Sequence, residues 1–146
     1  MGKVPLLGIC LGHQIIGAAL GYEIARSARP FHGSRKEITL AGDSFFWGGY
    51  SRFHAATYNS LVVTRSRVAI ADGQSGDAGL KIVGTCEEGE VQVIETSGPV
   101  MAAGVQFHPE SFLSDDLSVF RDRWLGYAAS WLVAQSSATA PLLMPS

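Results

Sequence analysis

Two clusters in this chain have the residue types and spacing for covalent catalysis. The first is Gly8-Ile9-Cys10-Leu11-Gly12, where an apolar run over residues 4–10 meets a helical pattern. A thiol on a sharp strand-to-helix corner is presented as a nucleophile. A helix N-terminus just beyond it, with unpaired N–H groups and a positive dipole end, favours thiolate over thiol. Gly8 and Gly12 flank the thiol, and the lack of a Cβ at both permits strained backbone and close packing. Taken alone, the motif fits a buried structural cysteine equally well. The second cluster is His108-Pro109-Glu110, delivered by the apolar, β-prone run 100–107. Residues two apart on extended backbone point to the same side, and Pro109 stiffens the segment.

The elements around these clusters must bring them together. If strand 100–107 neighbours strand 4–10 in a parallel sheet, His108 and Cys10 meet at the C-terminal edge, where open α/β sheets place their active sites. Cys10 is then the nucleophile and His108 the general base and acid, while Glu110 holds the imidazole. Together they favour the nucleophile over the structural thiol.

Helix is expected over 13–20, stopped by Gly21, with Gly17 marking a close approach of helix to sheet. Residues 22–34 read as a strand fragment and loop, 36–40 as a half-exposed strand, and 44–54 as a packed loop whose aromatics plug the domain. A loop feeds a strand over 58–63, and a short strand over 67–71 leads into a turn-rich stretch, 73–79. Segments 80–86 and 90–96 form an antiparallel hairpin turning at Gly89. Ser114 is expected to cap a final helix whose apolar stripe is Leu117, Phe120, Trp124, Ala128, Trp131 and Leu132. The domain is placed at 1–134, with 135–146 as a flexible tail.

Composition narrows the function classes. A chain of 146 residues is one domain's worth, and a net charge of -2 gives no basic footprint for nucleic acid. Two cysteines, Cys10 and Cys86, make no disulfide framework, so a reducing, cytoplasmic setting is expected. His13 and Gln14 interrupt the apolar start, and no run approaches the roughly 18 apolar residues of a membrane span, so no membrane partner is expected. Leu6 stands where a myristoylation signal requires Ser or Thr. Without C-x-x-C or H-E-x-x-H spacing, no metal and no cofactor is expected.

Gly8-Ile9-Cys10-Leu11-Gly12-His13-Gln14 and Gly104-Val105-Gln106-Phe107-His108-Pro109-Glu110-Ser111 resemble the two signature boxes of class I glutamine amidotransferase domains. Phe31-His32-Gly33 and Tyr58-Asn59-Ser60-Leu61 resemble that family's His-Gly and Tyr-His-Ser-Leu segments. Within the family, the likeness points to the glutamine subunits of anthranilate, aminodeoxychorismate and aminodeoxyisochorismate synthases. The resemblance implies a flavodoxin-like α/β fold, a mostly parallel open sheet flanked by helices with one antiparallel hairpin. It implies hydrolysis of the glutamine side-chain amide through a Cys10 thioester, with His108 and Glu110 completing the triad. Leu11 would supply one oxyanion donor through its N–H, while Gln14, Ser60 and Leu61 would hold glutamine. Ammonia would pass to a chorismate-using synthase, as a separate subunit or a fused domain.

Two departures qualify this likeness. Family domains usually begin with a further strand and a Gly-rich turn whose N–H completes the oxyanion hole; these 146 residues contain neither, so one or more N-terminal strands are expected to be missing. Losing one such donor typically costs about 10²–10³ in rate. Asn59 stands where the family often has His. The alternatives are therefore a catalytically impaired remnant or pseudo-amidotransferase kept as a partner-binding module, and a γ-glutamyl hydrolase.

Overall fold

The computed structural model describes residues 3–30, 33–41, 43–68 and 79–138. The chain opens with strand β1 (Leu6–Ile9) and helix α1 (Leu11–Ala19), followed by β2 (Tyr22–Arg26) and β3 (Ser34–Leu40). Then come β4 (Arg52–Thr57), β5 (Leu61–Arg67), β6 (Leu80–Cys86), β7 (Val91–Thr96), β8 (Ala102–Val105) and helix α2 (Ser118–Ala138). The main sheet has the order β1-β8-β7-β6-β3-β4, and β2 pairs with β5 in a separate two-stranded ribbon.

The α/β class is as expected, but the strand directions differ from a mostly parallel sheet. Among the described residues only β1 and β8 run parallel, in the register Leu6↔Ala102 to Ile9↔Val105; the other four pairings described in the main sheet are antiparallel. The physical reason is connection length. Parallel neighbours need a crossover of a dozen or more residues, whereas β6 and β7 are joined by a tight turn with Gly89 at φ 77°.

Each face of the sheet buries its own core. On one face Ile16 and Leu20 of α1 pack with Val63, Val91 and Ile94. Helix and ribbon come so close that a Cβ at Gly17 would lie 2.7 Å from Val63, which accounts for a glycine inside a helix. The opposite face holds Ile38, Val93, Val105 and Phe107 against the aromatic loop. There Trp47 is stacked between Phe120, at 4.1 Å, and Phe53, at 5.0 Å between ring centroids. Buried Glu95 on β7 accepts hydrogen bonds from Ser44 Oγ and from the Phe45 and Phe46 N–H groups, fastening that loop to the sheet.

The sheet curls around this plug. An antiparallel bridge between Ala56 of β4 and His108 joins the far edge strand to the chain leaving β8.

Four sequence expectations need correction. Residues 52–57 form a full strand, β4, where a loop was expected to continue to His54. The final helix starts at Ser118, and the oxygen nearest its start is Asp116 Oδ1, which accepts from the Ser118 N–H at 2.9 Å. The Ser114 hydroxyl does not cap it, because it is used elsewhere. Of the expected apolar stripe, Leu117, Phe120 and Trp124 are buried, whereas Leu132 is exposed. Helix α2 also continues through Ala138, into the stretch read as tail. The Phe31-His32 part of the His-Gly segment, the 69–71 end of the 67–71 strand, most of the 73–79 turn and residues 139–146 lie outside the described residues. No helix among the described residues is long and apolar enough to cross a membrane.

Candidate active site

Cys10 leaves β1 as the N-cap of α1, with φ 52° and ψ −104°. It is the only non-glycine residue with positive φ among the described residues. Such backbone costs on the order of 1–3 kcal/mol and persists only where its surroundings enforce it. Here the Cys10 N–H donates to the Val105 carbonyl at 2.8 Å, and the Cys10 carbonyl accepts from the Gln14 N–H at 3.2 Å. One bond holds the corner to the sheet, the other to the helix.

The flanking glycines differ in why they are there. A Cβ at Gly8 would meet the main chain of Gly12 at 2.4 Å. One at Gly12 would meet nothing within 4 Å, so the expected close packing at Gly12 is absent: its missing side chain faces open space.

Both candidate groups sit at the C-terminal ends of neighbouring parallel strands, as the sequence implied. His108 Nδ1 lies 2.6 Å from Glu110 Oε1. Facing a carboxylate, Nδ1 is the nitrogen that carries the proton, which leaves Nε2 as the free proton acceptor. Tyr58 meets the imidazole edge-on, with ring centroids 5.2 Å apart. The main chain beneath is clamped: the His108 N–H donates to the Ala56 carbonyl at 2.9 Å, and Ser114 Oγ donates to the His108 carbonyl at 2.7 Å while accepting from the Ala56 N–H at 3.0 Å. The sulfur of Cys10 and the imidazole of His108 are not hydrogen-bonded to each other. Catalytic contacts of this kind are often long before substrate binds.

Of the remaining expected site residues, Gln14 and Leu61 are linked to Cys10 by hydrogen bonds that pass through Gln106. Gln14 is buried, and its Nε2 donates both to the Leu61 carbonyl at 2.9 Å and to Gln106 Oε1 at 3.1 Å. Its Oε1 is the end left to receive a donor. Asn59 Nδ2 donates to the same Leu61 carbonyl at 3.0 Å, so asparagine here supports the loop. Leu11, Ser60 and the Leu61 side chain are exposed. One polar neighbour was not expected to act: fully buried Gln106, whose Nε2 reaches Cys10 Sγ at 3.7 Å. The signal was available, since Gln106 shares strand parity with His108 and interrupts an apolar run.

His13, on the helix directly after the corner, is wholly buried with neither ring nitrogen in a hydrogen bond. Burial pushes its imidazole down to about 4, and the nearby Gly104 backbone offsets only part of this. The unfolded chain therefore takes up a proton near the ordinary 6.5 that the folded chain refuses until about 4. Stability is whole above that window and is lost as pH falls through it, by about 3 kcal/mol in all. Urea midpoints between pH 7 and pH 4 are expected to fall accordingly, and His13→Gln to flatten the decline.

Cys86 is buried on β6, and burial pushes its thiol up. Among the described residues no group of three or more His, Cys, Asp or Glu is arranged to hold a metal ion.

Comparison with known proteins gives the family. The family model described as glutamine amidotransferase class-I matches residues 1–125. The bifunctional protein TrpGD of Thermotoga maritima is 37% identical over 116 residues, covering 79% of this chain and 18% of that protein. Anthranilate synthase component 2 of Cyanidium caldarium is 37% identical over 110 residues, covering 75% of this chain and 54% of its own length. Aminodeoxychorismate synthase component 2 of Klebsiella aerogenes is 35% identical over 114 residues, covering 78% and 56%. The chain thus spans about half the length of the two component 2 proteins. In fold it resembles a GMP synthase subunit from Thermoplasma acidophilum, with TM-score 0.73 and 20% identity over 90% of this chain and 61% of that one. Since the match over 1–125 takes in both signature boxes and every residue of the site, this chain belongs to the class-I glutamine amidotransferase family.

Proposed function

We propose that this domain hydrolyses the side-chain amide of glutamine through a thioester on Cys10 and hands the ammonia to a chorismate-using synthase. The observation that carries the reading is the thiol on a left-handed corner at φ 52°, with a paired His108–Glu110 at the end of the adjacent parallel strand. Cys10 gives its thiol proton to His108 Nε2 as Sγ attacks the amide carbon, and the oxyanion forms beside the Leu11 N–H at the first turn of α1. His108 then gives its proton to the leaving nitrogen, and the C–N bond breaks to release ammonia. Next, His108 takes a proton from water as the water oxygen attacks the thioester; the C–S bond breaks, the proton returns from His108 to the Cys10 sulfur, and glutamate is released. Gln14 offers an acceptor oxygen to the substrate, and the Ser60-Leu61 loop borders it. The component 2 names of the relatives support a chorismate-using partner.

The test is glutamate release from glutamine by the chain, alone and with a chorismate-using synthase present. Labelling by a glutamine-like diazoketone accompanies it, with the adduct expected on Cys10 and not on Cys86. Intact glutamine in both assays and an unlabelled Cys10 would overturn the reading. They would favour a partner-binding module without turnover.

A further inference from the structure

We propose that Gln106 is a second working group on the nucleophile, an amide that donates a fixed N–H to the Cys10 sulfur and favours its thiolate. This rests on the reading of Cys10 as a nucleophile but does not depend on the identity of the substrate.

The direction of the amide follows from its neighbours. The Leu61 carbonyl can only accept, so the end of Gln14 that faces it at 2.9 Å must be the NH₂. That NH₂ spends its other proton toward Gln106 at 3.1 Å, where the atom receiving it must be Oε1. The remaining end of Gln106, the one 3.7 Å from Cys10 Sγ, is then Nε2 with its protons. An amide's oxygen and nitrogen are otherwise hard to tell apart, and here a main-chain carbonyl settles the question through two links.

Gln106 has little freedom to turn away. It is fully buried, and its own N–H is held by the Gln92 carbonyl at 2.8 Å. A donor to an anion in a water-poor setting is worth more than one between neutral groups. The half-buried sulfur thus lies under two influences, the end of α1 and this amide. Two consequences follow: the Cys10 rotamer is held before glutamine arrives, and Leu61, on the expected substrate loop, sets the polarity at the nucleophile through two side chains.

The experiment is alkylation of the intact chain by iodoacetamide, with peptide mapping to separate Cys10 from Cys86. The reagent reads the sulfur without needing glutamine, so a failed glutaminase assay and a failed donor are distinguishable. In Gln106→Met, of similar volume but without a donor, Cys10 alkylation at pH 7 is expected to fall about tenfold. It should return to the parent rate at high pH, where the thiol is ionised in either protein. Gln106→Glu, the same shape with a charge facing the sulfur, should fall further. A lost structural role would not produce rates that converge with pH. Buried Cys86 reports the fold, because it stays unlabelled only while the chain is folded. Should both Gln106 variants expose Cys86, Gln14→Met decides, since it frees Gln106 to rotate and should slow alkylation at pH 7 in the same direction. Equal rates at pH 7 in a folded variant and its parent would overturn the proposal.

Discussion

Cys10→Ala is expected to lower glutamine hydrolysis by at least about 10⁴-fold, and His108→Ala by about 10²–10⁴-fold, while neither substantially changes the thermal midpoint. The asymmetry follows from the chemistry. Without the sulfur no thioester forms, and amide hydrolysis must proceed in one step with water. Without the imidazole the sulfur is still present to attack, but the departing nitrogen receives no proton from His108. The groups act as a unit, so the double variant should be no slower than Cys10→Ala alone. Glu110→Gln should cost less than either, because Glu110 is 62% exposed in its side chain and water screens its hold on the imidazolium. Steady-state glutamate release with a chorismate-using synthase present checks all four. Undiminished turnover in Cys10→Ala would remove the thioester from the mechanism.

Gly8→Ala is expected to destabilise the chain by about 3 kcal/mol, the upper end of overpacking costs, and to lower any surviving activity by about 10². The new methyl would lie 2.4 Å from the Gly12 carbonyl carbon, 2.5 Å from its oxygen and 2.7 Å from the His13 nitrogen. All three are main-chain atoms of the first turn of α1, so no side chain can rotate aside. The helix must lift from the sheet, and the Cys10 sulfur moves with it. Gly12→Ala is the control. Its methyl faces open space, and alanine is the better helix former by about 1 kcal/mol, so stability should hold or rise. Urea unfolding of the two variants against the parent checks the contrast.

What the sequence disclosed here followed from how local each feature is. The Cys10 corner and the His108–Glu110 pair were legible because a nucleophile elbow and an alternating strand end are set by neighbours in the chain. The β6–β7 hairpin was legible for the same reason, with Gly89 at its turn. Strand β4 was not: Phe53 and Ala55 face inward and His54 outward, but two alanines are weak strand formers and the preceding aromatics read as loop. The antiparallel direction of β3 and β4, and of β7 against β8, was equally hidden, since it depends on which partner a strand meets. Ser114 looked like a helix cap because its type fits one; only the fold reveals that its hydroxyl clamps His108 to β4. Gln106 was passed over because a buried amide gains its meaning from partners 92 and 96 residues away in the chain.

The bridge between Ala56 and His108 has one more consequence. In strand order β1 and β4 are the two ends of the sheet, yet Cys10 leaves one and His108 is pinned to the other. The imidazole therefore depends on both edges of the sheet, following the strand beside β1 and bridged to β4. Phe53 of that same strand β4 is stacked on Trp47, so an aromatic residue far from any bond that breaks helps to hold the main chain under the imidazole.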